Sequence, residues 1–271
     1  MGARDSGWIQ IYAENNQEAY DNMVQAYRIA EHEDVRLPIM ICQDGFITSH
    51  AVENITLLDD EEVKGFVGEY EPEHYLLNPE CPTAVGPYSV TDYYMEAKRA
   101  QAEAMQNAKQ VILDVAKEFG EMSGRSYGLF EEYQMEDAEY AVIMIGSAAG
   151  TTKDAIDQLR AAGKKVGLIK LRVFRPFPAD EIAAALANVK AVAVMDRADS
   201  FSDHGGPLGA EVMAALFRAR SQAYAINIVY GLGGRDVRVE DMKGVYAELE
   251  RIAETGETGD TYRYMGVREQ A

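Results

Sequence analysis

Short apolar runs alternate with amphipathic stretches through the second half of this 271-residue chain. The runs at 140–145, 166–174, 191–195 and 226–230 are dominated by Val, Ile, Leu, Met and Ala, with almost no polar alternation. Such runs read as strands buried on both faces, the signature of a parallel sheet covered by helices. Each run stops at a sharp break: Gly146-Ser-Ala-Ala-Gly-Thr151, Arg175-Pro-Phe-Pro178, Asp196-Arg197 and Gly231-Leu-Gly-Gly-Arg-Asp236. In α/β folds the loops after such strands carry the chemistry or meet the partners.

The front half follows a looser pattern. Residues 8–12 alternate and read as a strand. Asn15 or Asn16 caps a predicted helix to about Glu31, with Ala19, Met23, Ala26, Tyr27 and Ala30 as its expected inward face. Residues 37–42 read as a second buried strand ending at Asp44-Gly45, and Asp59-Asp-Glu-Glu62 as the acidic first turn of a short helix. From Glu69 to Thr91 four prolines and Gly86 mark a long irregular excursion, expected to face a partner. A helix from Asp92 to about Gly120 follows, with Val111, Ile112, Val115 and Phe119 as its apolar stripe and Gly120 and Gly124 to stop it. The expected organisation is a first unit over 1–120, a linker over 121–136, a second domain over 137–254 and an arm over 255–271 that docks on a neighbouring subunit.

Composition narrows the function. Hydrophobic residues make up 47% of the chain, enough for a sizeable core, and the formal net charge is -19. Such a chain repels nucleic acid and anionic membrane surfaces, and suits a basic partner or simple solubility. No apolar run reaches the length of a membrane span, and the first residues lack a signal-peptide core, so a cytoplasmic location is expected. Cys42 and Cys81 form no C-x-x-C unit, so the chain cannot itself hold a four-thiolate cluster, and the four histidines show no metal-ligand spacing.

Taken together, Gly146-Ser-Ala-Ala-Gly150, Lys170-Leu-Arg-Val-Phe-Arg-Pro-Phe177, Asp196-Arg197 and Tyr230-Gly-Leu-Gly-Gly-Arg-Asp236 resemble the second domain of the α subunit of pyruvate:ferredoxin oxidoreductases. The stretches 3–10, 12–18 and 44–50, and 87–96 with its Asp92-Tyr-Tyr-Met-Glu96, resemble the later part of that subunit's first domain. The resemblance implies an α/β protein: a parallel-sheet three-layer domain of transketolase C-terminal type, preceded by an incomplete α/β thiamin pyrimidine-binding domain. In the family the Arg4 motif lies mid-domain, so on the order of a hundred residues of an ordinary domain are expected to be missing ahead of it. The glutamate that activates the aminopyrimidine belongs to that part.

The implied activity is the oxidative decarboxylation of pyruvate to acetyl-coenzyme A and carbon dioxide, with ferredoxin as electron acceptor. Branched-chain 2-oxo acids, 2-oxoglutarate and oxalate are the alternative substrates, and a non-catalytic assembly module is the alternative role. Thiamin diphosphate with magnesium is expected at a site shared in the holoenzyme, iron–sulfur clusters on other subunits, and no cofactor on this chain alone. The implied partners are β-, γ- and δ-type subunits, with ferredoxin reached through the complex. The isolated chain is expected to be inactive and to self-associate through its uncovered edge.

Arg4 is the expected substrate-facing residue, since a guanidinium suits the carboxylate of a 2-oxo acid. The competing reading is a loose terminal charge. Asp44, Thr48, Ser49 and His50 are expected either to bind substrate or to act as scaffolding for that arginine. The turn 146–151 lies where a phosphate can meet free amides, but it matches neither G-x-G-x-x-G nor a P-loop, and a tight turn accounts for its glycines. His204 reads as an acid or base beside a helix start, or as loop decoration. Arg172, Arg175 and Arg197 either grip an anion or pair with local acids.

Overall fold

The computed structural model describes residues 1–268. Strand β1 (Ile9–Tyr12) leads into α1 (Asn16–Glu31), whose first turn is closed by the Asn15 side chain accepting from the Glu18 amide at 2.9 Å. Strand β2 (Ile39–Cys42) runs parallel to β1. Then come a single turn α2 (Ile47–His50), the short α3 (Asp60–Val67) behind its Asp59 cap, and the long α4 (Tyr94–Ser123). Gly124, in the left-handed region, ends α4 one turn beyond Gly120.

The segment 121–136 is more than a linker. It carries β3 (Phe130–Tyr133), the antiparallel edge of a second sheet. That sheet continues with β4 (Tyr140–Met144), helix α5 (Ala148–Ala161) and β5 (Val166–Leu171). Strand β6 (Val173–Arg175), α6 (Ala179–Ala185), β7 (Ala191–Asp196), α7 (Pro207–Arg218), β8 (Tyr224–Val229), α8 (Val239–Thr255) and β9 (Tyr262–Tyr264) complete the order. The six-stranded sheet runs β3-β5-β4-β7-β8-β9, parallel throughout except for β3. The expected arm 255–271 is therefore corrected in part: β9 adds to the chain's own sheet, while 269–271 lie outside the described residues.

Three layers follow from strand alternation. Val142, Met144, Ala193 and Ile226 point to α5 and α8, meeting Ile156, Val245 and Leu249. Ile143, Val192 and Val194 point the other way, to Ile182 of α6 and Leu208 and Val212 of α7. Both faces are dry, as unbroken apolar strands require.

The single apolar run 166–174 serves two sheets. It breaks at Arg172, and β6 leaves to pair antiparallel with β1, giving a three-stranded sheet β2-β1-β6. The Tyr12 amide donates to the Arg172 carbonyl at 2.7 Å. A strand of the second unit thus completes the sheet of the first. Under that sheet Ile9, Ile11 and Val173 pack against Ile29 of α1 and Ala108, Ile112 and Val115 of α4.

Helix α1 faces inward differently from its apolar pattern. Val24, Ala26 and Ile29 are buried, but so are Glu18, Asp21, Asn22 and Gln25, while Met23 and Tyr27 are half exposed. The buried polar residues lie at i, i+3, i+4 and i+7, on one helical face. Each finds a partner far away in sequence. Arg125 grips Asp21 through two bonds at 2.7 and 2.8 Å, and Tyr127 donates to the same carboxylate at 2.5 Å. Arg172 donates to Asn22 at 2.8 Å, to Gln25 at 3.2 Å and to the Gly128 carbonyl at 3.1 Å. Burial lowers the Arg172 pKa to about 10.

Candidate functional site

The carboxyl ends of β2, β4, β7 and β8 meet, and Asp44 ties three of them together. Its carboxylate, just past β2, accepts the Ser147 amide at 2.7 Å and the Ser147 hydroxyl, and pairs with Arg197 at 3.1 Å. Arg197 in turn donates to the Gly231 carbonyl at 3.3 Å. Gly146 must be glycine: its φ is +84°, and a Cβ there would lie 2.8 Å from Asp44 Oδ1. The amide of the 146–151 turn that a phosphate would seek is thus taken by a side chain of the chain itself.

The start of α7 is filled in the same way. Asp196 is buried, accepts the Leu208 and Gly209 amides at 2.9 and 2.8 Å, and takes a third bond from Asn227 at 2.9 Å. Burial raises its pKa, and those three donors act against the rise. Asn227 also accepts the Gly206 amide at 2.6 Å and donates to the Val194 carbonyl at 2.8 Å. A Cβ on Gly206 would come within 2.5 Å of Asp196, and one on Gly209 within 2.4 Å of Asn227. The glycine-rich stretch 205–209 is therefore a helix start packed against two polar side chains. His204 stands exposed outside it.

Arg4 belongs to a pinned turn. Its amide donates to the Met1 carbonyl at 3.0 Å, Gln10 holds the Ala3 carbonyl at 3.1 Å, and Asp5 pairs with Arg175 at 3.1 Å. Arg175 continues to Glu211 of α7 at 2.6 Å. The Arg4 guanidinium is one-third exposed, lies 3.5 Å from Asp5, and its charge acts on Asp196. The rest of the expected set divides. Thr48 is buried and donates to the Glu14 carbonyl at 3.4 Å. Ser49 and His50 are exposed, with Ser49 Oγ 2.7 Å from His50 Nδ1 and the His50 ring stacked on Phe46 at 4.8 Å.

A buried charge cluster borders this junction. Lys170, inside β5, contacts Glu14 at 2.9 Å, Glu131 at 2.8 Å and Glu18. Lys153 joins Glu14 and Glu131 at 3.0 and 2.9 Å. Burial opposes the Lys170 charge, but Glu18 and Glu14 outweigh it and hold the ammonium above its ordinary range. The signal was present in the sequence: a lysine within a doubly covered strand must have buried partners. Asn227 inside 224–229 carried the same signal.

Residues 1–117 match the family profile described as pyruvate flavodoxin/ferredoxin oxidoreductase, thiamine diphosphate-binding, and 138–242 match pyruvate:ferredoxin oxidoreductase core domain II. Over 269 residues the chain is 47% identical to the pyruvate synthase subunit PorA of Thermotoga maritima, covering 99% of this chain and 68% of that one. This chain belongs to the pyruvate:ferredoxin oxidoreductase family. The family's PorA of Methanocaldococcus jannaschii is 43% identical, with 99% and 67% covered. The ketoisovalerate oxidoreductase subunit VorA of Pyrococcus horikoshii is 40% identical, with 94% and 64% covered. Among solved structures, the 2-oxoglutarate:ferredoxin oxidoreductase of Magnetococcus marinus matches with a TM-score of 0.57 at 16% identity, over 89% of this chain and 42% of that one. That likeness bears on the fold.

The family profile names a thiamin diphosphate domain, whose diphosphate calls for free amides and a metal. Two amide sites in the 138–242 region where a diphosphate could sit are already taken. Asp44 occupies the Ser147 amide and Asp196 the start of α7. The carboxylates Glu14, Glu18 and Glu131 lie close enough to hold a cation, and Lys170 and Lys153 already fill that role.

Proposed function

We propose that this chain acts as the α-type subunit of a thiamin diphosphate-dependent oxidoreductase. The enzyme converts pyruvate to acetyl-coenzyme A and carbon dioxide and passes electrons to ferredoxin. The observation that carries the reading is the 47% identity to a pyruvate synthase subunit across nearly the whole chain. In this reading the thiamin diphosphate–magnesium site is shared in the holoenzyme, β-, γ- and δ-type subunits carry the iron–sulfur clusters, and the assembly works in the cytoplasm. No helix among the described residues is long and apolar enough to cross a membrane.

This chain contributes a shaped face. Arg4 offers a bidentate donor to the carboxylate of the 2-oxo acid. Ser49 and His50 form the neighbouring wall with buried Thr48 behind them, and Asp44 joins the ends of β2, β4 and β7. Support for Arg4 comes from its pinned turn: the backbone and the Asp5–Arg175 pair fix where the guanidinium starts. The test is reconstitution with the partner subunits and assay of pyruvate-dependent electron transfer to ferredoxin. Turnover by the complex, and none by this chain alone, is expected.

The likeness to a ketoisovalerate oxidoreductase subunit favours one second reading, a branched-chain substrate. Comparing kcat/KM for pyruvate and ketoisovalerate on the same complex separates the two.

A further inference from the structure

We infer that Gln10 and Arg175 are positioning residues for Arg4, one cross-strand pair holding the two residues that flank it. This rests on the substrate-binding role proposed above for Arg4. Gln10 of β1 and Arg175 of β6 are direct partners in the antiparallel register of the small sheet. Their side chains therefore leave the sheet on the same face. Gln10 Nε2 donates to the Ala3 carbonyl at 3.1 Å, and Arg175 donates to Asp5 Oδ1 at 3.1 Å. Gln101 of α4 donates to the Gly7 carbonyl at 3.4 Å. Residues 3, 5 and 7 are thus held from three elements, while the Arg4 guanidinium has Asp5 as its one ion-pair partner among the described residues.

Neither side chain is ordinary sheet filling. Gln10 is buried, and its Oε1 has no hydrogen-bond partner among the described residues. A buried amide satisfied at one end only is destabilising, and Leu at that position would avoid the penalty. What the amide supplies is a fixed Ala3 carbonyl. Arg175 is itself anchored in the second unit. It donates to Glu211 of α7 at 2.6 Å and to the Phe174 carbonyl at 3.1 Å, and its guanidinium lies 4.5 Å from the centre of the Phe174 ring. Arg175 is mostly buried whereas Asp5 is exposed. Position therefore passes from Arg175 to Asp5 and not the reverse.

Arg175 also divides the Asp5 charge. Asp5 Oδ1 faces Arg175, and Oδ2 lies 3.5 Å from Arg4 Nε. Without Arg175 that carboxylate closes on Arg4 and competes with the carboxylate of the 2-oxo acid for the same guanidinium. With Arg175 in place Asp5 is shared, and Arg4 keeps donors for substrate. The second unit thus sets substrate affinity through a residue that touches no substrate.

The test is steady-state kinetics of the reconstituted complex. Arg175→Met should raise KM for pyruvate about tenfold and change kcat by no more than about twofold. Adding Asp5→Asn to that variant should recover most of the lost affinity, because a neutral amide does not mask Arg4. Arg175→Lys, which keeps a cation beside Asp5, should lose less than Arg175→Met. Gln10→Leu, which stays buried and removes the bond to Ala3, should raise KM for pyruvate about threefold or more. KM for coenzyme A should not move in any of these variants, whereas a general loosening of the fold would move it. An unchanged KM for pyruvate in Arg175→Met and Gln10→Leu overturns the inference. So does a joint shift of kcat and both KM values that Asp5→Asn does not reverse. If Arg175→Met does not assemble, Gln10→Leu decides alone. Arg4→Ala in the same assay separates the two claims. An effect at Arg4 with none at Gln10 or Arg175 overturns the inference and leaves the proposed function standing, and no effect at Arg4 overturns the substrate-binding role itself.

Discussion

Asp44 and Arg197 stand 153 positions apart in sequence and meet at 3.1 Å. One ends a strand of the small sheet and the other follows a strand of the large one. Ser147 adds a second anchor to the same carboxylate. Replacing Asp44 by Asn keeps the size and removes the charge, so the Arg197 pair and the strength of the Ser147 bonds are lost. We expect a fall in stability of about 1.5–3 kcal/mol, the scale of a hydrogen bond to a charged group. Ser147→Ala, which keeps its amide bond, should cost less. Urea midpoints of the two variants check the order, and Asp44→Asn matching wild type would show that the junction contributes little.

Lys170 gives a pH-dependent prediction. Burial opposes the Glu131 charge, but bonds from Lys170 and Lys153 hold its pKa below the ordinary 4.5. Its contribution to stability is full above 4.5 and fades as pH falls through the lower folded-state value. Lys170 is held above its ordinary 10.5, so its share is full below 10.5 and fades as pH rises through the higher folded-state value. The cluster therefore stabilises the chain fully across the interval between those ordinary values. Lys170→Met leaves Glu14 and Glu18 facing each other without their central cation and should cost about 3–5 kcal/mol near neutral pH. Thermal melting from pH 3 to 11 should show the gap between wild type and variant narrowing at both ends.

Gly206 and Gly209 make a sharper structural test. A Cβ at either position meets Asp196 or Asn227 within 2.5 Å, and neither side chain can retreat without breaking bonds to the start of α7. Either Gly→Ala change should cost about 1–3 kcal/mol, the range for overpacking. Gly244, on α8 with open space around it, should accept Ala with no loss. Denaturation curves for the three variants decide this, and equal tolerance would mean the packing around Asp196 is slack.

Much of the second sheet was legible in the sequence. Four apolar runs became β4, β5, β7 and β8, in parallel and covered on both faces, because continuous apolar strands allow no other solvent arrangement. Three features escaped. Strand β3, Phe-Glu-Glu-Tyr, carries two carboxylates and reads as linker; its Glu131 is kept in a sheet by Lys170 and Lys153. The break at Arg172 was hidden inside one apolar run, since only the distant Asn22 and Gln25 make a buried guanidinium tolerable there. The inward face of α1 was misjudged for the same reason: Glu18, Asp21, Asn22 and Gln25 look solvent-facing until their partners at 125–172 are known. The loop motifs were legible as turns, but their convergence on Asp44 was not, because convergence belongs to topology.

Arg4 separates a catalytic role from a purely assembling one. In the reconstituted complex, Arg4→Ala should lower kcat/KM for pyruvate about a hundredfold or more, chiefly through KM, because a charge-assisted bond to substrate is lost. The melting temperature of the complex should stay unchanged, since the Arg4 side chain is partly exposed and its nearest ion pair is the adjacent Asp5. Unaltered kinetics would favour the assembly role.

The most direct measurement is pyruvate-dependent reduction of ferredoxin by the complex of this chain with its β-, γ- and δ-type subunits, compared with each part alone. Turnover with acetyl-coenzyme A as product, abolished when this chain is omitted and absent from this chain by itself, is the predicted result. Pyruvate oxidation by the purified chain with added thiamin diphosphate, or full activity of the other subunits without it, would contradict the account.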